Sequence, residues 1–294
     1  MENTKIYLWR DEVIRTKVDR PSISCYLLPA ENPKPAILII PGGGYSTVCE
    51  DMEGGPVAQE FNKLGFHAFV LDYRTAPDRW PAPQLDAMRA MKIIRGNAEK
   101  WNIDPRKISV CGFSAGGHLA GCLGGICNGL DASDGDSFDS VSHRPDAMIL
   151  CYGVLAFADW SHLETMHNLL GDSCSELRDA CSLTTHVDEN TPPTFLMHTI
   201  CDQLVSYRNS MEFAEAMART RRPCQLALYY WGDHGMLLGG NTSDVGCWPV
   251  QARNFLANLW DCADDPAGFF RKYTNPYQAE LNRALSYGKC AHSS

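Results

Sequence analysis

The segment Gly112-Phe113-Ser114-Ala115-Gly116 offers the most legible chemistry in this chain. Small residues two before and two after Ser114 let a backbone turn tightly and present the hydroxyl. The apolar run Ile108 to Phe113 before it and the helical pattern His118 to Gly121 after it supply the strand, turn and helix in which a G-x-S-x-G serine acts as a nucleophile. A helix starting behind the serine also points its positive end at the reacting centre, where a developing oxyanion is stabilised.

A serine hydroxyl attacks poorly unless a base accepts its proton, and that base needs a third group to fix its tautomer. The loop after the run Thr194 to Thr199 offers Asp202, and the loop after Gln225 to Tyr230 offers His234. The order Ser114, Asp202, His234 suits a strand-turn-helix nucleophile and differs from the orders of chymotrypsin-type and subtilisin-type enzymes. Asp233 is the rival acid, but its adjacency to His234 makes the side-chain geometry awkward. Capping a helix that begins near Val205 is the alternative use of Asp202.

The tetrahedral oxyanion needs backbone donors. The glycine run in Pro41-Gly42-Gly43-Gly44-Tyr45 can bring main-chain amides close to a ligand, so Gly43 and Gly44, with the amide of Ala115, are the expected oxyanion hole. Tyr45 and Trp231 are the candidate substrate-binding side chains, with ordinary packing the competing role for each. His198, within an apolar strand, and His118, behind the elbow, read as structural histidines. His162 and His167 are five apart, unlike the i, i+4 ligands of a zinc-protease helix, and are discounted.

The elements that must position these groups follow from periodicity. Apolar runs of strand length at Ala36 to Ile40, Phe66 to Leu71, Ile108 to Phe113, Ala147 to Tyr152, Thr194 to Thr199 and Gln225 to Tyr230 are hydrophobic throughout, which predicts strands covered on both faces of a parallel sheet. Helical stripes at Gln84 to Trp101, Tyr207 to Ala218 and Pro249 to Trp260 alternate with them. The expected fold is therefore α/β, a mostly parallel sheet with helices on both faces and ligands beyond the carboxyl ends of the strands. Residues 1–263 are expected as one domain, with 153–190 as a small cap insertion and 264–294 as an extension of unassigned role.

At 294 residues the chain is long enough for one sizeable core. With 35 acidic against 26 basic side chains and a formal charge of −9, it presents no basic surface for nucleic acid. No run approaches the ~18 apolar residues of a membrane span, and the first residues lack the apolar core of a signal peptide, so no membrane partner and a cytoplasmic location are expected. The 13 cysteines are scattered and mostly set in apolar stretches, which reads as reduced core residues. Cys122 and Cys127 are spaced C-x4-C without a second ligand pair, so no metal is expected. A homo-oligomer stays open.

Taken together, the segments Pro41 to Tyr45, Asp72-Tyr-Arg-Thr-Ala-Pro77, Pro81-Ala-Pro-Gln-Leu-Asp86, Gly112 to Ala120, His198-Thr-Ile-Cys-Asp202 and Asp233-His-Gly235 resemble the acetylxylan-esterase and feruloyl-esterase-like branch of the α/β-hydrolases, neighbours of the hormone-sensitive-lipase-like esterases. The resemblance covers roughly residues 30 to 262. It departs at Pro41, where that branch often has His, and at Val205-Ser206, where it often has Val-Pro. Acyl transfer by such a triad needs no cofactor, and none is expected; the resemblance implies an esterase acting on short acyl groups, acetyl in particular, carried by sugars such as xylo-oligosaccharides. A general short-chain carboxylesterase is the close alternative, and a catalytically idle receptor of the same fold is the rival from another class.

Overall fold

The computed structural model describes residues 4–10, 20–265, 277, 280 and 283. Within them an eight-stranded sheet forms from β1 (Thr4–Tyr7), β2 (Ser22–Tyr26), β3 (Lys34–Ile40), β4 (His67–Asp72), β5 (Ile103–Phe113), β6 (Ala147–Cys151), β7 (Thr194–Thr199) and β8 (Cys224–Tyr229). Its order is β1-β2-β4-β3-β5-β6-β7-β8. β1 pairs antiparallel to β2 and β2 antiparallel to β4, and every later pairing is parallel. This is the α/β-hydrolase fold, as expected.

The parallel strands are hydrophobic along their whole length because helices cover both faces. Ile37, Leu38, Ile39 and Ile40 of β3 have no exposure, nor do any of the five residues of β6. Each such aliphatic side chain contributes about 1.5–3 kcal/mol on burial, which is what holds the sheet centre rigid. The helices are α1 (Glu50–Glu53), α2 (Gly55–Lys63), α3 (Ala82–Gly96), α4 (Ala115–Cys122), α5 (Leu163–Leu170), α6 (Cys174–Leu177), α7 (Arg208–Arg219) and α8 (Trp248–Asp264). α2 begins with Pro56 in its first turn, buries Val57, Ala58 and Phe61, and ends with Lys63 at its carboxyl end, where a cation suits the helix dipole.

The six parallel-sheet runs read from the sequence coincide with β3 to β8. β1 and β2 lack such runs: β1 is mostly exposed and β2 is a five-residue strand near the antiparallel edge. The chain divides into two compact units, residues 1–252 and 253–294. Most of the extension 264–294 lies outside the described residues. In the segment 153–190, α5 and α6 are joined by a short turn of 3₁₀ helix, Gly171–Ser173. Among the described residues no helix is long and apolar enough to cross a membrane.

Candidate active site

Each functional loop leaves the carboxyl end of a parallel strand, and the loops therefore converge on one edge of the sheet. β5 delivers Ser114 through a sharp turn with φ 52° and ψ −118°, a left-handed conformation that a non-glycine residue holds only when its surroundings impose it. The flanking glycines make room for it. A Cβ on Gly112 would lie 2.1 Å from the Gly116 carbonyl oxygen, and one on Gly116 would lie 2.2 Å from that of Ile40. The turn is pinned further by the Ser114 amide, which donates to the Cys151 carbonyl at 3.0 Å.

The Ser114 hydroxyl donates to Nε2 of His234 at 2.9 Å, and His234 Nδ1 donates to Oδ2 of Asp202 at 2.8 Å. Asp202 is fully buried, and its Oδ1 accepts the amides of Leu204 at 2.9 Å and Val205 at 2.8 Å. Burial pushes its carboxyl pKa up, but hydrogen bonds with His198 and His234, the charge interaction with His234 and the Val205 amide outweigh burial and hold it well below the usual carboxylate range. Asp202 Oδ1 thus closes a turn within its own loop and caps no helix, since α7 begins only at Arg208 with Tyr207 at its N-cap and no side-chain cap bond. Asp233 instead turns its Oδ1 toward the amides of Gln203 and His234, a turn residue's arrangement.

Across from Ser114, neither the Gly43 nor the Gly44 amide has a protein acceptor among the described residues. Both glycines line a cavity of about 410 Å³ together with Ser114 and His234, and the Ala115 amide opens α4 immediately behind the serine. The first amides of a helix have no partner within it, so three donors are free to converge on an oxygen beside Ser114. Another cavity, of about 600 Å³, is lined by Trp9, Arg89 and Trp101 among others, and no Ser, Cys or His among the described residues lines it.

Several residues at this site escaped the sequence reading. Glu53, buried in the last turn of α1, accepts the Gly42 amide at 2.6 Å and the Tyr152 hydroxyl at 2.9 Å, bracing the glycine loop from behind. Burial raises its pKa, and the hydrogen bonds from Gly42 and Tyr152 and the nearness of His234 offset only part of that. The ring of Tyr152 stands edge-on to the His234 imidazole, centroids 5.0 Å apart. His162 and Thr165 form part of the cavity wall, and Asn168 Nδ2 donates to the Gly44 carbonyl at 2.9 Å. Glu53 lies 99 residues from Tyr152, a pairing that no sequence period announces.

Of the two expected substrate contacts, that of Tyr45 is corrected. Tyr45 is 1% exposed and turns into the core, where its hydroxyl donates to His118 Nδ1 at 2.8 Å. His118 Nε2 in turn donates to the Cys181 carbonyl, and burial lowers the His118 pKa to about 4. With φ at 58°, the Tyr45 backbone swings the ring away from the glycine loop's open side. Trp231 is 69% exposed, packs against Tyr230 at 4.5 Å between centroids, and is absent from the cavity wall. Cys122 and Cys127 are buried free thiols, and among the described residues no cluster of His, Cys, Asp or Glu is arranged to hold a metal ion.

A family model described as BD-FAE matches residues 25–217. An acetylxylan esterase from Xylanibacter ruminicola is 31% identical over 286 residues, covering 90% of this chain and 56% of that protein. Endo-1,4-beta-xylanase B from Butyrivibrio fibrisolvens is 35% identical over 227 residues, covering 75% of this chain and 35% of that protein. The chain thus spans about a third to about half the length of these curated relatives. The crystal structure of an acetyl ester-xyloside bifunctional hydrolase from Caldicellulosiruptor lactoaceticus superposes with a TM-score of 0.82 at 36% identity, covering 88% of this chain and 97% of that one.

Proposed function

The chain belongs to the BD-FAE family of α/β-hydrolase esterases, close to the acetylxylan and feruloyl esterases, and from this premise we propose that it is a serine esterase removing short acyl groups, acetyl above all, from carbohydrates such as acetylated xylo-oligosaccharides. The observation that carries the reading is the hydrogen-bonded run from Ser114 through His234 to Asp202.

In the proposed mechanism Ser114 Oγ bonds to the ester carbonyl carbon as its proton passes to His234 Nε2. The carbonyl electron pair moves onto oxygen, where the amides of Gly43, Gly44 and Ala115 stabilise it. The intermediate collapses by breaking the bond to the alcohol oxygen, which takes the proton from His234. Water then attacks the acyl-serine, giving its proton to the same imidazole, and the acid leaves with Ser114 restored. Asp202 keeps the Nδ1–H tautomer throughout and stabilises the imidazolium. The nucleophile, the base and the oxyanion donors are all supplied by this chain's own groups.

A cavity of about 410 Å³ suits a small acyl group with one sugar. The apolar walls formed by Met52, Leu204 and Leu237 favour a second reading, a general short-chain carboxylesterase. Acetate release measured over acetylated xylo-oligosaccharides and simple alkyl acetates separates the two: a higher kcat/KM for the sugar esters is expected, and equal values leave the general esterase. If Ser114→Ala keeps wild-type turnover, Ser114 is not the nucleophile and both readings fail; if the wild-type protein itself hydrolyses no ester, a non-catalytic receptor is left.

A further inference from the structure

His162 stands just before α5 and accepts at Nδ1 from the Thr165 hydroxyl at 2.8 Å and the Thr165 amide at 3.4 Å. With Nδ1 committed as an acceptor, the neutral ring carries its proton on Nε2. That nitrogen has no hydrogen-bond partner among the described residues, and the side chain lines the same cavity as Ser114 and His234. Burial lowers the His162 pKa, with His234 reinforcing and Glu164 and Asp202 only partly opposing that effect, so the ring remains a neutral donor at neutral pH.

An ester bound at Ser114 has few acceptors to offer such a donor. The carbonyl oxygen is taken by the oxyanion amides, and an acetyl group carries no other polar atom. The remaining acceptors belong to the alcohol. We propose that His162 is a specificity-determining residue whose Nε2–H donates to a hydroxyl or ring oxygen next to the ester, so that the site favours esters of neutral sugars over esters of plain alcohols. This inference rests on the reading of the protein as a carbohydrate esterase. Its physical logic is that a site built around a hydrogen bond discriminates against the analogue that lacks the partner, because a desolvated donor is then left unmade.

Two substitutions separate this contact from the helix cap. His162→Asn keeps a short side-chain oxygen for the Thr165 amide but does not reach the position of Nε2, whereas His162→Gln extends an amide N–H toward it. The readout is the ratio of kcat/KM on acetylated xylobiose to that on ethyl acetate. His162→Asn is expected to lower this ratio about fivefold to tenfold, the scale of one neutral hydrogen bond, and His162→Gln to recover part of it. An unchanged ratio in His162→Asn, with wild-type preference for the sugar ester intact, overturns the proposal alone. An equal loss on both substrates assigns His162 to holding α5 and overturns it as well. If the wild-type protein hydrolyses ethyl acetate but shows no sugar preference, the carbohydrate reading itself fails and the inference falls with it.

Discussion

The Nε2 of His198 stands 3.3 Å from Oδ2 of Asp202, with both side chains fully buried. The same His198 nitrogen donates to the Val205 carbonyl at 2.9 Å, and the Ser210 hydroxyl donates to its Nδ1 at 2.8 Å. Asp202 is therefore fixed from two sides, by the loop amides at Oδ1 and by two histidines at Oδ2, so that only its bond to His234 faces the chemistry.

That arrangement sets the ranking of the two neighbouring carboxylates. Asp202→Asn is expected to lower kcat by about 10⁴, the scale for this change in a serine triad, because the amide no longer holds the Nδ1–H tautomer. Asp233→Asn removes only the charge, keeps an oxygen acceptor for the Gln203 and His234 amides, and is expected to cost less than about tenfold. Steady-state kinetics on one acetyl ester decide it, and the reverse ranking would move the acid role to Asp233.

Acid stability should carry the same signature. The Asp202 carboxyl pKa is depressed in the folded protein relative to the ~3.9 of an unfolded chain. A depressed carboxyl pKa stabilises the fold above the unfolded value, and that stabilisation is lost as pH falls from about 4 toward the folded value. Urea unfolding at pH 6 and pH 3 should show the wild type losing more stability than Asp202→Asn between the two. Parallel losses would mean that Asp202 is not held ionised by its partners.

The triad and the glycine loop were legible because their chemistry depends on position along the chain: each group follows a strongly apolar strand, and chain order alone separates this arrangement from other serine hydrolases. Arg74 and Asp86, from two of the segments that carry the family resemblance, meet as an ion pair at 2.7 Å. What could not be read depends on packing across the sheet. His198 in its apolar strand looks like any core histidine until the Asp202 loop folds over it. Tyr45 misled for the converse reason. Its place beside the glycines suggested a cavity wall, but the side-chain direction is set by a positive φ that residue type does not disclose.

Glu53 gives a prediction that separates positioning from folding. By accepting the Gly42 amide it holds the strand-to-loop junction just ahead of Gly43 and Gly44. Glu53→Ala is expected to lower kcat by about 10- to 100-fold with a smaller change in KM, since the displaced donors act mainly on the transition state. Glu53→Gln retains an acceptor for Gly42 and should recover most of that loss. Its stability should also respond to pH in the opposite sense to Asp202. The Glu53 pKa is raised by burial, so the wild type loses stability as pH rises from the unfolded value of ~4.3 through the folded value. The Gln variant lacks that loss and should gain on the wild type over this interval. A fall in KM-side binding alone, with kcat intact, would argue against the bracing role.

The adjacent glycines of the oxyanion loop should tolerate a methyl group very differently, although alanine keeps the donor amide at both positions. At Gly43, φ is 124° and a Cβ would lie 2.2 Å from the Thr47 carbonyl oxygen. That oxygen belongs to backbone in the same tight turn, where Ser46 and Thr47 both donate their amides to the Gly43 carbonyl, so the turn itself must open. At Gly44, φ is 63°, inside the left-handed region, and the nearest atom to a Cβ is 3.9 Å away. The cost there is only the intrinsic penalty of an alanine in that conformation, about 1–2 kcal/mol. Gly44→Ala is accordingly expected to lower Tm by a few degrees and to keep kcat within about tenfold of wild type, whereas Gly43→Ala should lose more than about 100-fold, the scale of removing an oxyanion donor. Thermal melts with kinetics on a single acetyl ester test both together. Equal, mild effects at the two positions would show that the loop can relax around Gly43, and with it that the amide geometry in this turn is not what stabilises the oxyanion.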